Sequence, residues 1–304
     1  MKAKAYSPAG LSSFFEARNG FGEDPASMGA RGGGFLLTKG ITTEVTAEPS
    51  KRNEVKVYIN GLYSRNASTS RRAAQYVLEL VGGPFKVTIK HEIKVPIAAG
   101  FGTSGAGALT ASLALSKIFN LNLSVEEVGM IAHKAEIACK TGLGTVPPLV
   151  SGGGCVVTVK PGGPGKATIK KIPVKPGLKI ISGVFKAIET KRALLSRAGL
   201  EKVNKAGERA LERILADPCL ENFLKSAKNF AVESELATSR VLKLIKEVER
   251  AGALGAAQNM IGEAVHAVTE EDNLAKVLTV FKKFIPSGRM VVAEISKDPV
   301  KFLN

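Results

Sequence analysis

Alternation of apolar and polar positions dominates the first hundred residues. Residues 41–47 alternate with Thr and Glu, 54–59 alternate without a break, and 85–93 do so again, which predicts three half-buried strands. Asn60-Gly61, directly after the second, is a strong hairpin signal. Helical spacing runs from 68 to 80 and stops at Val81-Gly82-Gly83-Pro84. A stretch rich in Ala, Gly and Ser from 104 to 119 predicts a second helix, whose small side chains permit close approach of a sheet or a ligand. Residues 120–123 link it to a third helix. Ser124 and Glu127 open that helix as a capping box, and it runs to about residue 140, with Gly142 available as a left-handed terminator.

The pattern changes after residue 150. Residues 152–160 and 167–174 read as strands around the turn Pro161-Gly162-Gly163-Pro164-Gly165. A domain boundary is placed there, giving an N-terminal domain of residues 1–165 and a C-terminal domain of 166–304. The apolar run 178–185 predicts a buried strand. Residues 190–250 read as helical, with breaks at Gly199 and Asp217-Pro218. Strands return at 263–268 and 290–295, with a helix at 272–284 between them. Strands mixed with helices make the fold class α+β.

Composition narrows the function classes. The chain of 304 residues is 44% hydrophobic, enough for a real core, but has no Trp, so aliphatic side chains must fill it. The net charge of +16 fits an anionic partner or a diffusely basic surface. Lys and Arg are scattered and not interleaved with stacking aromatics, which argues against dedicated nucleic-acid binding. Cys139, Cys155 and Cys219 are far apart and odd in number, which suits free thiols in a reducing cytoplasm better than a disulfide framework or a zinc site. The N-terminus lacks the apolar stretch of a signal peptide, and no run approaches the ~20 apolar residues of a membrane span.

Two constellations carry candidate chemistry. Gly100-Phe101-Gly102-Thr103-Ser104-Gly105 fits the spacing GxGxxG. A dinucleotide fold would need an acidic residue about 20 positions on, at the end of a second strand. Glu126 and Glu127 lie near that distance but sit in the first turn of a helix. A P-loop also fails, because Gly165-Lys166-Ala167 has no hydroxyl after the Lys. What remains is a strand, a glycine loop and a helix start. Its backbone N–H groups can surround phosphate oxygens, with hydroxyls from Thr103 and Ser104, or it is a turn before a tightly packed helix. The second constellation is Glu136, on the edge of the helical stripe Val128, Ala132, Ala135 and Cys139. A carboxylate there is costly unless paired, so it either binds Mg²⁺ beside the phosphates or forms a salt bridge to Lys140. His91, His133 and His266 have no partners nearby in sequence and read as structural or surface residues.

Taken together and in order, these features resemble the GHMP kinase superfamily. Pro96, Gly100, Phe101, Gly102, Thr103, Ser104, Gly105 and Ala106 match its phosphate loop, Glu136 its Mg²⁺-binding Glu, and Gly142-Leu143-Gly144 the turn that follows. Within the superfamily the chain resembles the archaeal pantoate kinases. The resemblance lies in Ser7-Pro8-Ala9-Gly10 through Phe14-Phe15, Gly29-Ala30-Arg31-Gly32-Gly33-Gly34, Gly40-Ile41-Thr42-Thr43, Lys160-Pro161-Gly162-Gly163-Pro164-Gly165 and Thr190-Lys191. Residues 255–262 take the place of the third glycine-rich motif in diverged form.

The resemblance implies a two-domain fold, with an N-terminal half like ribosomal protein S5 domain 2 and a ferredoxin-like C-terminal half. It implies ATP-dependent phosphorylation of pantoate to 4-phosphopantoate for coenzyme A synthesis in an archaeal cytoplasm. ATP and Mg²⁺ would be bound through the loop, Ser104 and Glu136. Arg31, Thr190 and Lys191 would contact pantoate, and Thr145 would at most orient the accepting hydroxyl. A homodimer is compatible with it, whereas a nucleic acid or membrane partner is not expected. Three positions depart from the family pattern. Thr145 stands where many members have a catalytic Asp, Leu11 lies near an expected His, and the strand at Cys155-Val156-Val157-Thr158-Val159 lacks an expected Arg. These departures keep two rivals open: a GHMP kinase for another hydroxy acid or alcohol such as homoserine or mevalonate, and a non-catalytic nucleotide-binding relative.

Overall fold

A computed structural model describes residues 1–18, 24–186, 197–260 and 262–303. Its first sheet is built on two long antiparallel strands, β1 (Lys2–Arg18) and β2 (Gly29–Pro49), paired from Lys2↔Thr46 to Arg18↔Gly29. Only the stretch 41–47 of this pair shows clean alternation. β2 changes partner along its length. Its glycine-rich start, residues 32–35, pairs with β6 (Cys155–Lys160), and residues 41–49 pair with β5 (Phe85–Ile93). β3 (Glu54–Ile59) runs parallel to β5, and β4 (Leu62–Tyr63) folds back on β3. Asn60 and Gly61 form the expected hairpin turn with φ of 48° and 85°. β7 (Thr168–Ile172) pairs with β6, and β12 (Lys301–Leu303) pairs with β1.

Four helices belong with this sheet: α1 (Ser68–Val81), α2 (Thr103–Ile118), α3 (Val125–Cys139) and the short α4 (Val146–Ser151). α2 packs on β1 and β2 and is flanked by α1 and α3. It is buried on nearly every side, which explains its Ala- and Gly-rich composition without an amphipathic stripe. α3 carries the predicted capping box. Its left-handed terminator is Lys140 (φ 55°) rather than Gly142. Thr141 N already donates to Glu136 O at 3.1 Å, so the chain has reversed before Gly142 is reached. α4 is not among the elements read from the sequence, and Pro147 and Pro148 stand in its first turn. At the first turn of a helix the missing N–H groups cost no hydrogen bond.

The remaining elements are β8 (Lys179–Lys186), α5 (Arg197–Ala216), α6 (Leu220–Glu233), α7 (Ser239–Arg250), β9 (Gly255–Gln258), β10 (Glu263–Thr269), α8 (Glu271–Phe284) and β11 (Met290–Glu294). The second sheet has the order β11-β8-β10-β9 with every pair antiparallel, which is the ferredoxin-like arrangement. Gly199, expected as a break, lies inside α5. Asp217-Pro218 does end it, and the Cys219 side chain then caps α6. β9 was missed because Gly255-Ala256-Ala257 are too small to produce an alternating pattern.

Two cores result. The smaller packs α7 and α8 on the second sheet, through Val241, Leu244, Val248, Val265 and Phe281. The larger runs from the first sheet and α1–α3 into α5 and α6. Phe14 and Phe35 meet Phe223 edge-on, with centroids at 6.0 and 5.2 Å, which fastens α6 to β1 and β2. The second sheet is thereby held against the loop that follows β5.

Candidate active site

A cavity of about 510 Å³ opens where the loop after β5 meets β1, β2 and the turn between α3 and α4. The loop reaches it through three left-handed residues: Ala98 (φ 56°), Gly100 (φ 80°) and Gly102 (φ 60°). Gly102 is the N-cap of α2. It offers no capping side chain, and the first turn of α2 contains no acid. The N–H groups of Thr103, Ser104 and Gly105 therefore lack intrahelical acceptors at the positive end of a 16-residue helix. Thr103 and Ser104 line the cavity. An oxyanion held there would satisfy these donors.

Glu136 comes to the same cavity from α3 and is almost completely buried. Its carboxylate is wedged between two glycines. A Cβ on Gly105 would stand 2.7 Å from Oε2, and one on Gly142 2.5 Å from Oε1. Burial pushes the carboxyl up to about 8, against a smaller opposite pull from a hydrogen bond with the Thr145 side chain. Oε2 has no hydrogen-bond partner. The alternative role, an ion pair with Lys140, is not formed.

A buried carboxylate with an orphan oxygen, beside an uncapped helix start, has the chemistry of a divalent cation site. Ser104 supplies a hydroxyl to that region. Its Oγ donates to Thr69 Oγ1 at 2.8 Å, and Thr69 Oγ1 lies 2.9 Å from Thr141 Oγ1. The residues present thus fit Mg²⁺. Among the described residues, no cluster of three or more His, Cys, Asp or Glu could hold a metal.

β1 and β2 also bring Leu11, Phe14, Phe15 and Arg31 to the wall, and β6 adds Val156 and Thr158. Leu11 stands near the place of the expected His, and Val156 and Thr158 lie on the strand expected to carry an Arg. Arg31 precedes Gly32, which pairs with Thr158 of β6. Its guanidinium reaches Glu16 Oε2 at 2.5 Å and Glu208 Oε1 at 3.3 Å, tying β1 and α5 to the cavity.

The structure therefore brings Gly100, Gly102, Thr103, Ser104, Glu136, Thr145 and Arg31 to one cavity, with Gly105 behind Glu136 and Ala106 buried in the helix beyond. Pro96 lies before the loop and is not part of the wall. Thr190 and Lys191 lie outside the described residues. Thr69 and Thr141 were not anticipated, nor was Lys140 as a residue of the cavity wall. Ser68-Thr69-Ser70 reads locally as a helix start, and nothing in sequence links it to Ser104. His91 and His133 are buried structural residues, hydrogen-bonded to Thr43 and Ser70, and to Met28 O. His266 does have clustered partners, Ser13 and Asn259.

Residues 68–153, which hold α1, the loop, α2, α3 and α4, match the family described as the GHMP kinases N terminal domain. The pantoate kinase of Methanocaldococcus jannaschii is 29% identical over 250 residues, covering 81% of this chain and 90% of that protein. The pantoate kinase of Thermococcus kodakarensis is 28% identical over 283 residues, covering 91% and 90%. A solved structure described as a phosphotransferase related to the CoA biosynthesis pathway superposes with a TM-score of 0.87. Its identity is 25%, and 100% of this chain and 99% of that one are covered. No described helix is long and apolar enough to cross a membrane.

Proposed function

We propose, for a chain that carries the GHMP kinase N-terminal domain and is a small-molecule kinase, that it transfers the γ-phosphoryl group of ATP to the 4-hydroxyl of pantoate. The observation that carries this reading is the meeting of the open N-terminus of α2 with the orphan carboxylate of Glu136 in one cavity. Loop residues 100–105 hold the phosphate oxygens through N–H groups that need no reorganisation when the ligand arrives. Ser104 and Glu136 would hold Mg²⁺, which supplies charge neutralisation at the transferring group.

Phosphoryl transfer through a loose transition state depends mainly on position and charge, so a strong general base is not required. Thr145 would at most orient the accepting hydroxyl, whose proton passes to solvent as the new P–O bond forms and the bond from the γ-phosphorus to ADP breaks. Arg31 lines the cavity with its guanidinium paired to Glu16 and Glu208, and its remaining N–H donors would be the ones to meet the pantoate carboxylate. Leu11, Phe14 and Val156 give the apolar wall that a branched carbon skeleton needs. Thr190 and Lys191, outside the described residues, would add acceptor contacts on the strength of the resemblance alone. Mg²⁺ dependence and a cytoplasmic, archaeal setting belong to the same proposal, as do the division near residue 165 and a homodimer.

The experiment is ADP release with pantoate, homoserine, mevalonate and shikimate as acceptors. Turnover with pantoate alone is the expected result. Turnover with another acceptor would reassign the substrate, and ATP binding without turnover on any of them would sink the enzyme reading.

A further inference from the structure

The buried cluster of Ser13, His266 and Asn259 lies outside the cavity wall, and its hydrogen bonds can be assigned one direction throughout. Asn259 Nδ2 is 3.2 Å from Ala99 O, and a carbonyl can only accept, so the amide nitrogen must point at the loop. Asn259 Oδ1 then faces His266 Nδ1 at 3.0 Å and must accept from it. That places the imidazole proton on Nδ1 and leaves Nε2 as an acceptor for Ser13 Oγ at 3.1 Å. Ser182 Oγ donates to Val265 O and so accepts the second Asn259 N–H at 2.9 Å. Every polar atom of Asn259 and both ring nitrogens are thereby used. All four side chains are fully buried.

The chain of bonds starts and ends at the loop. Ser13 falls at a register shift of β1, where Ser12 pairs with Gly34 and Phe14 with Gly33. The extra residue of this bulge brings Ser13 to His266. Its neighbour Ser12 donates N–H to Gly100 O at 3.0 Å and accepts at its carbonyl from Met260 N at 2.8 Å. Asn259 holds Ala99 O. The two carbonyls of Ala99 and Gly100 are thus gripped between left-handed Ala98 and Gly102. Gly100 O is held from β1, and Ala99 O from the second sheet, where His266 pairs with Ser182 and Ala257.

From this geometry we infer that Asn259, locked by His266 and Ser13, is a positioning residue for the phosphate-binding loop. It holds Ala99–Gly100 in the conformation that presents the N–H groups of α2 to the nucleotide. The neutral state of His266, whose burial lowers its pKa to about 3, keeps the assigned direction at all working pH values. The inference rests on the reading of the loop as the ATP site.

The test is Asn259→Ala, read by calorimetric binding of ATP in the absence of acceptor and by the separate KM values for ATP and pantoate. The expected result is a folded protein whose ATP affinity falls about 10-fold, with KM for ATP raised in step and KM for pantoate within about 2-fold. Unchanged ATP affinity, or equal movement of both KM values, would overturn the inference. If Asn259→Ala does not fold, Ser13→Ala decides. It leaves Asn259 in place but frees the imidazole, so ATP affinity should fall about 2- to 5-fold with the same selectivity, and an unchanged affinity would overturn the inference equally. A wild-type protein that binds no ATP would remove the nucleotide reading itself, and this inference with it. A wild type that binds ATP as tightly as both variants would remove the inference alone.

Discussion

α2 and α3 pack side by side, and their N-termini are built in opposite ways. At the start of α3, Ser124 Oγ accepts from Glu127 N at 3.2 Å and Glu127 Oε2 accepts from Ser124 N at 2.8 Å. Glu126 and Glu127 add negative charge against the helix dipole, and the hydrogen bonds from Ser124 hold the Glu127 carboxyl below its ordinary range. The N–H groups of Ser124 and Glu127 are thereby spent inside the protein. At the start of α2, a left-handed glycine replaces the capping side chain and the acids are absent. A cap is worth about 1 kcal/mol, so α2 forgoes stability that its neighbour keeps. On the proposed reading, the difference is what an anion site demands: donors left open in the folded chain, on a helix anchored by other means. Burial along nearly the whole of α2 is that anchor.

The largest effect is expected from Glu136→Gln, which removes the carboxylate beside the open end without changing its shape. Turnover should fall at least ~100-fold, because charge neutralisation at the transferring group is lost. Stability should move the other way at alkaline pH. The wild-type carboxyl titrates near 8 when folded and near its ordinary 4.5 when unfolded. Between those values the folded state holds a proton that the unfolded state has released. Wild-type stability therefore falls as pH rises through that window, by an amount on the order of 5 kcal/mol at most, and levels off above it. Glutamine does not titrate. Melting curves in a chelator should show the variant more stable than wild type at pH 8.5 and similar at pH 4.5. Mg²⁺ should then raise the melting temperature of the wild type alone. Equal pH dependence in the two proteins would mean that Glu136 is not the buried acid described.

How much of this was readable in advance follows from how far apart the partners lie. The loop, Ser104 and Glu136 could be found because glycine spacing and helix starts are local signals. The capping box was equally local. β1 and most of β2 were not readable, since glycines at 32–34 and small polar residues along β1 break the period-two pattern. The role of Gly142 was misplaced for a related reason. Its missing Cβ serves a contact with Glu136, and contact of that kind looks in sequence like a turn signal. His266 and Ser13 are 253 positions apart, so their pairing leaves no trace in any window of sequence. The acceptor side is the least legible part, because Leu11, Arg31 and Val156 acquire meaning only when three strands bring them to one wall.

A smaller effect sharpens the contrast from the side of α2. Thr103→Asp gives its first turn the acid that α3 already has. Through the dipole, the helix should gain roughly 0.5 kcal/mol, visible as a slight rise in melting temperature. The same charge stands where phosphate oxygens are to be held, so KM for ATP should rise by about 10-fold or more, and high salt should partly reverse the rise. A variant that gained stability and kept its KM would show that the open end of α2 is not where the nucleotide binds.

The smallest effect comes from closing the comparison at α3. Ser124→Ala removes one partner of the capping box and leaves Glu127 N without its side-chain acceptor. The position is exposed, so water replaces much of what is lost. The cost should be about 1 kcal/mol, or a fall of ~2 °C in melting temperature. Ser124 is three helical turns from Glu136 and touches no part of the cavity wall. The carboxylate is held at its own end of α3 by Gly105, Gly142 and Thr145. Fraying of the first turn should therefore not reach it, and kcat and both KM values should stay at their wild-type levels. Should kinetics shift along with stability, the two helix starts would be coupled through α3, and the division between a sealed terminus for folding and an open one for binding would have to be given up.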